Sequence, residues 1–267
     1  MPKMKLPFER SRSQKDRKGE AGMENLDNEE LQNRVPEGRE EKAERSREEE
    51  LHRLMKDLKQ CRYCEEEFGF ESRPIQYGHP NARILHISQA PGRKVHEIGR
   101  PFSDLSGKTL RESWYQISDE DFYNPDVFYF TVMGHCFPGK GKGNYDRKPP
   151  RCCWERWTRR EIELMDQCDL YLVVGQEAAS RLFPGRKLAD LVFEDLTLHG
   201  KPCFVLPHPS PLNRKWLKDH PAFEQERLPL VRQAIHQILE EEKEKDAKKL
   251  NQDENRHATM RTTRREE

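Results

Sequence analysis

A chain of 267 residues with 48 basic and 48 acidic side chains has no net charge that would by itself select an anionic or cationic partner. Only 33% of the residues are hydrophobic and 36% are charged, too polar for one uniformly packed globule, so part of the chain must be solvated. No apolar run approaches the roughly 18 residues that span a bilayer and no apolar signal segment follows the first residues, which predicts a soluble, cytoplasmic protein.

In chain order, residues 1–50 hold few aromatic or β-branched side chains and pass from basic ("KMKLPFERSRSQKDRK") to acidic ("SREEE"), which predicts a disordered tail with a helix starting after Arg39. Residues 51–245 form one expected domain of ordinary size. It opens with a Cys61-x-x-Cys64 pair, followed by apolar runs that read as buried strands at 82–88 ("ARILHIS"), 127–134 ("VFYFTVMG"), 169–175 ("DLYLVVG") and 202–208 ("PCFVLPH"). Helical patterns are expected near 107–116, 153–167, 176–183 and 223–243, the last with Leu228, Val231, Ile235 and Ile238 on one face. Residues 246–267 read as a charged, fraying tail. Strands alternating with helices predict a three-layer α/β/α sandwich around a four-stranded parallel sheet.

In such a sheet the ligand site lies beyond the carboxyl ends of the strands. The four segments at those ends read "SQAPG", "HCFPGKGKGNYDRKPPR", "GQEAAS" and "PHPSPLN", all rich in Gly, Pro and polar side chains. Each alone could be a turn; four together predict a site.

These residues carry a family resemblance. Ala90-Pro91-Gly92, a short charged segment and Gly99-Arg100-Pro101-Phe102 resemble the first motif of the iron-sulfur and related branches of the uracil-DNA glycosylase superfamily, and "HPSPLN", 208–213, resembles the second. The resemblance covers about residues 58–240 and implies a DNA glycosylase that flips a deaminated base, uracil foremost, out of the helix and hydrolyses its glycosidic bond. Charge collects on the departing base as the bond breaks, and His208, between Pro207 and Pro209, suits the donor that stabilises it. The resemblance further implies Leu212 as the wedge that fills the gap, Ser210 as a phosphate contact and Asn213 as a duplex contact. Phe102 becomes the stacking face for the base, with Gln89, Ala90, Pro91 and Gly92 around the base and the attacking water. The carboxylate that orients this water in the iron-sulfur branch is absent, with Glu97 or Asp104 as substitutes. No asparagine reader stands at the end of the second strand, near Val132, which leaves His96, Gln89 or a backbone group to read the base, or a pocket that accepts several bases.

Seven cysteines, an odd number, argue against a disulfide framework. Cys61, Cys64, Cys136 and the Cys152-Cys153 pair resemble the superfamily's four-cysteine iron-sulfur pattern, which implies a structural [4Fe-4S] cluster, with tetrahedral zinc as the rival. The spacing from Cys136 favours Cys152 as fourth ligand and Trp157, four residues on, favours Cys153; Cys153 is the expectation. Cys168 and Cys203 read as buried thiols. Lys140, Lys142, Arg147, Lys148 and Arg151 would give a basic rim for phosphates. The expected protein is a monomeric, nucleoid-associated repair enzyme. A non-catalytic iron-sulfur protein that binds nucleic acid or senses damage is the alternative, and an electron carrier would have no use for "HPSPLN".

Overall fold

The computed structural model describes residues 37–141 and 145–263, so residues 1–36 of the disordered segment expected over 1–50 lie outside the described residues, while 37–50 are helical. The chain divides into a unit of residues 1–43, of which only the opening of the first helix is described, and a unit of residues 44–267. That helix, α1, runs Glu37–Lys59 and begins before Arg39. It leads to α2, Tyr63–Phe68, which Gly69 ends in a left-handed conformation at φ 67°.

The sheet has five strands, not four: β1 Ile84–Ser88, β2 Phe128–Val132, β3 Leu170–Val174, β4 Leu196–Leu198 and β5 Lys201–Leu206. Their order is β2-β1-β3-β5-β4. The expected strands β1, β2, β3 and β5 are mutually parallel, and β4 pairs antiparallel with β5. The extra strand arises from a tight hairpin: Leu198 pairs with Lys201 across His199 and Gly200, both at positive φ (48° and 78°). Two such residues give the turn whose twist matches a hairpin. The signal was weak because histidine stands where Asn or Asp usually would, and because Leu196–Leu198 is only three residues long.

Every residue of β1 and β3 is buried, as expected for parallel strands covered on both faces. The chain passes from β1 to β2 on one side and to β3 on the other, which opens a crevice beyond their carboxyl ends. The covering helices are α3 Arg93–Ile98, α4 Leu105–Lys108, α5 Asp119–Phe122, α6 Arg151–Cys153, α7 Arg159–Leu164, α8 Gln176–Leu182, α9 Leu188–Val192, α10 Arg214–Asp219 and α11 Leu228–Thr263. Wider π-type turns extend α4 through Thr109–Tyr115 and join α6 to α7 through Trp154–Thr158. Leu228, Val231, Ile235 and Ile238 are all buried, the expected stripe of α11, and α11 continues through most of the segment read as a tail.

Candidate active site

Loops after β1, β2 and β5 enclose a cavity of about 450 Å3. Gln89, Ala90, Pro91, Gly92, Phe102, His208, Ser210, Leu212 and Asn213 all line it. The fourth expected loop, after β3, does not; it supports the site from behind. Gly175, at φ 90°, lies so close under His208 that a Cβ there would sit 3.5 Å from the ring's Cδ2.

The second motif organises itself around His208. The Ser210 N–H donates to Nδ1 (3.2 Å) and the Asn213 side-chain amide donates to the His208 carbonyl (2.8 Å). With Nδ1 accepting, the proton of the neutral ring sits on Nε2, where it is available to the cavity. Burial holds His208 below the usual histidine range, against the opposing charges of Asp104 and Asp146. The Ser210 hydroxyl accepts the Leu212 N–H (3.3 Å), which caps the short turn Pro211–Asn213. That turn lifts Leu212 into solvent, with 72% of its surface exposed.

Phe102 is fixed more tightly than a pocket wall needs to be. Its φ of 53° is in the left-handed region, costly for an aromatic residue. Three contacts impose the turn: Arg111 donates to the Phe102 carbonyl (2.9 Å), Tyr123 donates to the Pro101 carbonyl (2.8 Å), and Arg100 lies 4.1 Å over the Tyr123 ring. Gly107 must be glycine, because a Cβ there would fall 1.7 Å from the Phe102 oxygen. Behind Phe102 stand His86 and Phe130, with ring centroids 4.8 and 5.5 Å away. His86 is fully buried, and its Nε2 meets the Tyr115 hydroxyl at 3.1 Å. Burial presses its pKa down to about 3, so this ring is neutral packing for the stacking face.

Two expected residues turn elsewhere. His96 on α3 meets Glu71 at 3.0 Å and lies beside Phe137, outside the cavity wall. Glu97 also stands outside the wall, with its carbonyl accepting from Arg73 (3.1 Å). The carboxylates that do line the cavity are Asp104 and Asp146. Asp104 was among the expected substitutes, whereas Asp146 was hidden in a loop read only for its basic residues. Val132 lines the cavity at the end of β2, and Gln89 lines it after β1.

The basic rim is less free than its composition implies. Lys140 pairs with Asp146 (2.7 Å), Lys148 with Glu177 (2.6 Å) and Arg151 with Glu155 (2.8 Å). Arg147 lines the cavity, and Lys142 lies outside the described residues.

A second, small cavity is walled by Cys61, Cys64, Cys136, Cys152 and Cys153 together with Leu58, Pro74 and Trp157. The Cys64 and Cys152 thiols lie near each other, while Cys153 accepts the His135 N–H (3.3 Å). Burial pushes the Cys64 thiol up to about 12 and Cys136 to about 11, with neighbouring thiols adding to the shift. Thiols so placed ionise only with a cation among them. Among the described residues no three Cys, His, Asp or Glu side chains are grouped closely enough to hold a single metal ion. Cys168 and Cys203 are buried away from this cavity.

Beside the cysteines lies a fully buried ion pair that no local pattern in the sequence marks. His135 Nε2 meets Glu161 at 2.9 Å, and Glu161 also accepts from Tyr129 (2.7 Å) and Thr131 (2.6 Å). Burial opposes both charges, but the pairing and hydrogen bonds outweigh it: Glu161 is held below the usual carboxylate range and His135 above the usual histidine range.

Residues 75–232 match the model of a family described as the uracil DNA glycosylase superfamily. Over 172 residues, 63% of this chain and 86% of the relative, the sequence is 23% identical to a type-4 uracil-DNA glycosylase of Thermotoga maritima. The family match takes in more than half of the chain, all five strands and every loop that lines the large cavity, so the chain belongs to the uracil DNA glycosylase superfamily and is a DNA glycosylase.

Proposed function

We propose that the large cavity receives a deaminated base, uracil foremost, flipped from DNA, and that His208 drives hydrolysis of its glycosidic bond. The observation that carries this reading is the hydrogen bond at His208: the Ser210 N–H occupies Nδ1, so the neutral ring keeps its proton on Nε2, and the ring lines the same cavity as the clamped Phe102. The flipped base stacks on Phe102, and Gln89 reads its edge. As the bond breaks, negative charge on the base oxygen is met by the Nε2–H, an interaction strongest in the transition state. Leu212, exposed at the cavity mouth, enters the duplex as the base leaves. Ser210 and Arg147 contact the flanking phosphates, and Asn213 touches the duplex beside the gap.

The test is incubation of the purified chain with oligonucleotides carrying uracil, hypoxanthine or xanthine, followed by alkaline cleavage. Strand scission at uracil is the expected result, and none at any of the three would sink the reading. In the same assay Leu212→Ala should lose at least about 10-fold more activity on paired uracil than on single-stranded uracil, because the wedge matters only where a stack must be opened. Equal losses on both substrates would remove the wedge role.

The thiol-lined cavity fits an iron-sulfur cluster by its donor set. Thiolates are the donors that iron-sulfur clusters take, and the five cysteines on this wall supply more than the four a cluster needs. Cys61, Cys64 and Cys136 would hold it, with Cys152 taking the place of the expected Cys153 as fourth ligand, since Cys152 is the thiol that acts most strongly on Cys64 across this cavity. When bound, the cluster supplies structural cross-linking between α2 and the loop after β2. Protein purified without air is expected to contain about four irons per chain, to lose them in Cys152→Ser and to keep them in Cys153→Ser. Equimolar zinc without iron would overturn the cluster assignment.

A further inference from the structure

The first motif lacks the acidic residue that its relatives place near the attacking water, and Glu97 stands outside the cavity wall. Two carboxylates approach the same point from other directions. A Cβ built on Gly92 would lie 3.8 Å from Asp146 Oδ2 and 3.9 Å from Asp104 Oδ2, so both oxygens face the Ala90–Gly92 turn. Asp104 is partly committed to structure: its Oδ1 caps α4 by accepting the Gly107 N–H (3.0 Å).

Asp146 is held differently. It stands in the loop after β2, where Lys140 and Asp146 form an antiparallel bridge and the Arg147 N–H donates to the Gly139 carbonyl (2.9 Å). Lys140 Nζ lies 2.7 Å from Asp146 Oδ1, which orients the carboxylate and leaves Oδ2 toward Gly92. The side chain is 36% exposed, so water reaches it. His208 feels the charges of Asp104 and then Asp146, so both carboxylates are within electrostatic reach of the ring that meets the departing base. A sugar developing positive charge between these two groups would be flanked by an anion on one side and a hydrogen-bond donor on the other.

Resting on the excision reading above, we propose that Asp146 is a further catalytic residue: its Oδ2 orients the attacking water and takes a proton from it. The bond from C1′ to the base nitrogen breaks with its electron pair passing to the base, whose oxygen accepts the hydrogen bond from His208 Nε2. The water oxygen bonds to C1′, its proton passes to Asp146 Oδ2, and that proton is returned through solvent to the base anion. The products are a neutral free base and an abasic sugar, with no change of oxidation state.

The test is single-turnover excision from a uracil oligonucleotide at saturating enzyme, with DNA affinity measured separately. Asp146→Asn is expected to slow the chemical step about 100-fold or more, the scale of lost general-base catalysis, and to leave affinity within about threefold. Formate added to Asp146→Ala should restore part of the rate, because a small carboxylate can occupy the space left; a residue that merely holds the loop would show no such rescue. An active wild type with Asp146→Asn within about threefold of it, or with Asp146→Ala impaired but untouched by formate, overturns this assignment alone. An inactive wild type overturns both this assignment and the excision reading on which it rests.

Discussion

Replacing His208 by alanine is expected to slow single-turnover excision about 100-fold or more while DNA affinity changes little, the scale seen when one oxyanion-type donor is removed. The separation of rate from affinity follows from where the ring points. Its Nδ1 is consumed within the loop by the Ser210 N–H, so in the proposed reading the one proton the neutral ring can offer goes to a base already inside the cavity. In the proposed reading phosphate grip lies with the Ser210 hydroxyl and Arg147, side chains that the substitution does not remove. The loss should persist at high substrate concentration, because an interaction made only in the transition state lowers the chemical step itself. A pH profile gives a second check. Burial lowers the His208 pKa, so the neutral donor survives as pH falls through the ordinary histidine range near about 6.5 and activity should decline only below it. A variant that cleaves at the wild-type rate but binds poorly would make His208 a DNA contact instead.

Glu161→Ala should strongly destabilise the fold. The carboxylate has no solvent exposure and satisfies His135, Tyr129 and Thr131 at once. His135 Nδ1 lies 3.1 Å from the Ile75 carbonyl, so with both ring nitrogens facing acceptors the imidazole is held as a cation. Truncating Glu161 leaves that charge and two hydroxyls without their partner, at a cost of about 3–5 kcal/mol. For a domain of this size each kcal/mol shifts the melting temperature by about 2–4 °C, so thermal unfolding should fall by about 10 °C. Glu161→Gln, which keeps the shape and some hydrogen bonds, should fall less. Melting of Glu161→Ala within about 3 °C of the wild type would show that the pair contributes little. The damage should also reach both cavities. His135 accepts from the Ile75 N–H through its carbonyl (2.8 Å), donates its own N–H to Cys153 and adjoins Cys136, while Ile75 lines the large cavity.

The α/β alternation, the parallel strands and the loops bearing "SQAPG" and "HPSPLN" were legible because they are local: an all-buried strand needs a run such as "LYLVV", and a rigid loop needs its prolines and glycines. The strand β4 was not, since three residues of "LTL" become a strand only when β5 presents an open edge beside them. Side-chain direction in the site was likewise beyond the chain's linear order. His96 and Glu97 sit within the motif, but whether they face the cavity depends on Glu71 and Arg73, which reach them from the segment before β1. Asp146 reads as one acid in a basic loop until the bridge to Lys140 turns its Oδ2 toward Gly92, some fifty positions earlier. Glu161 reads as an ordinary helix glutamate until β2 and His135 close over it. Sequence therefore determined the four parallel strands and the motif-bearing loops at their ends, because backbone propensity and burial period are short-range; the tertiary structure decided the added edge strand and which charged groups meet, because a strand pairing, hydrogen bond or ion pair is set by distances between elements that no local pattern records.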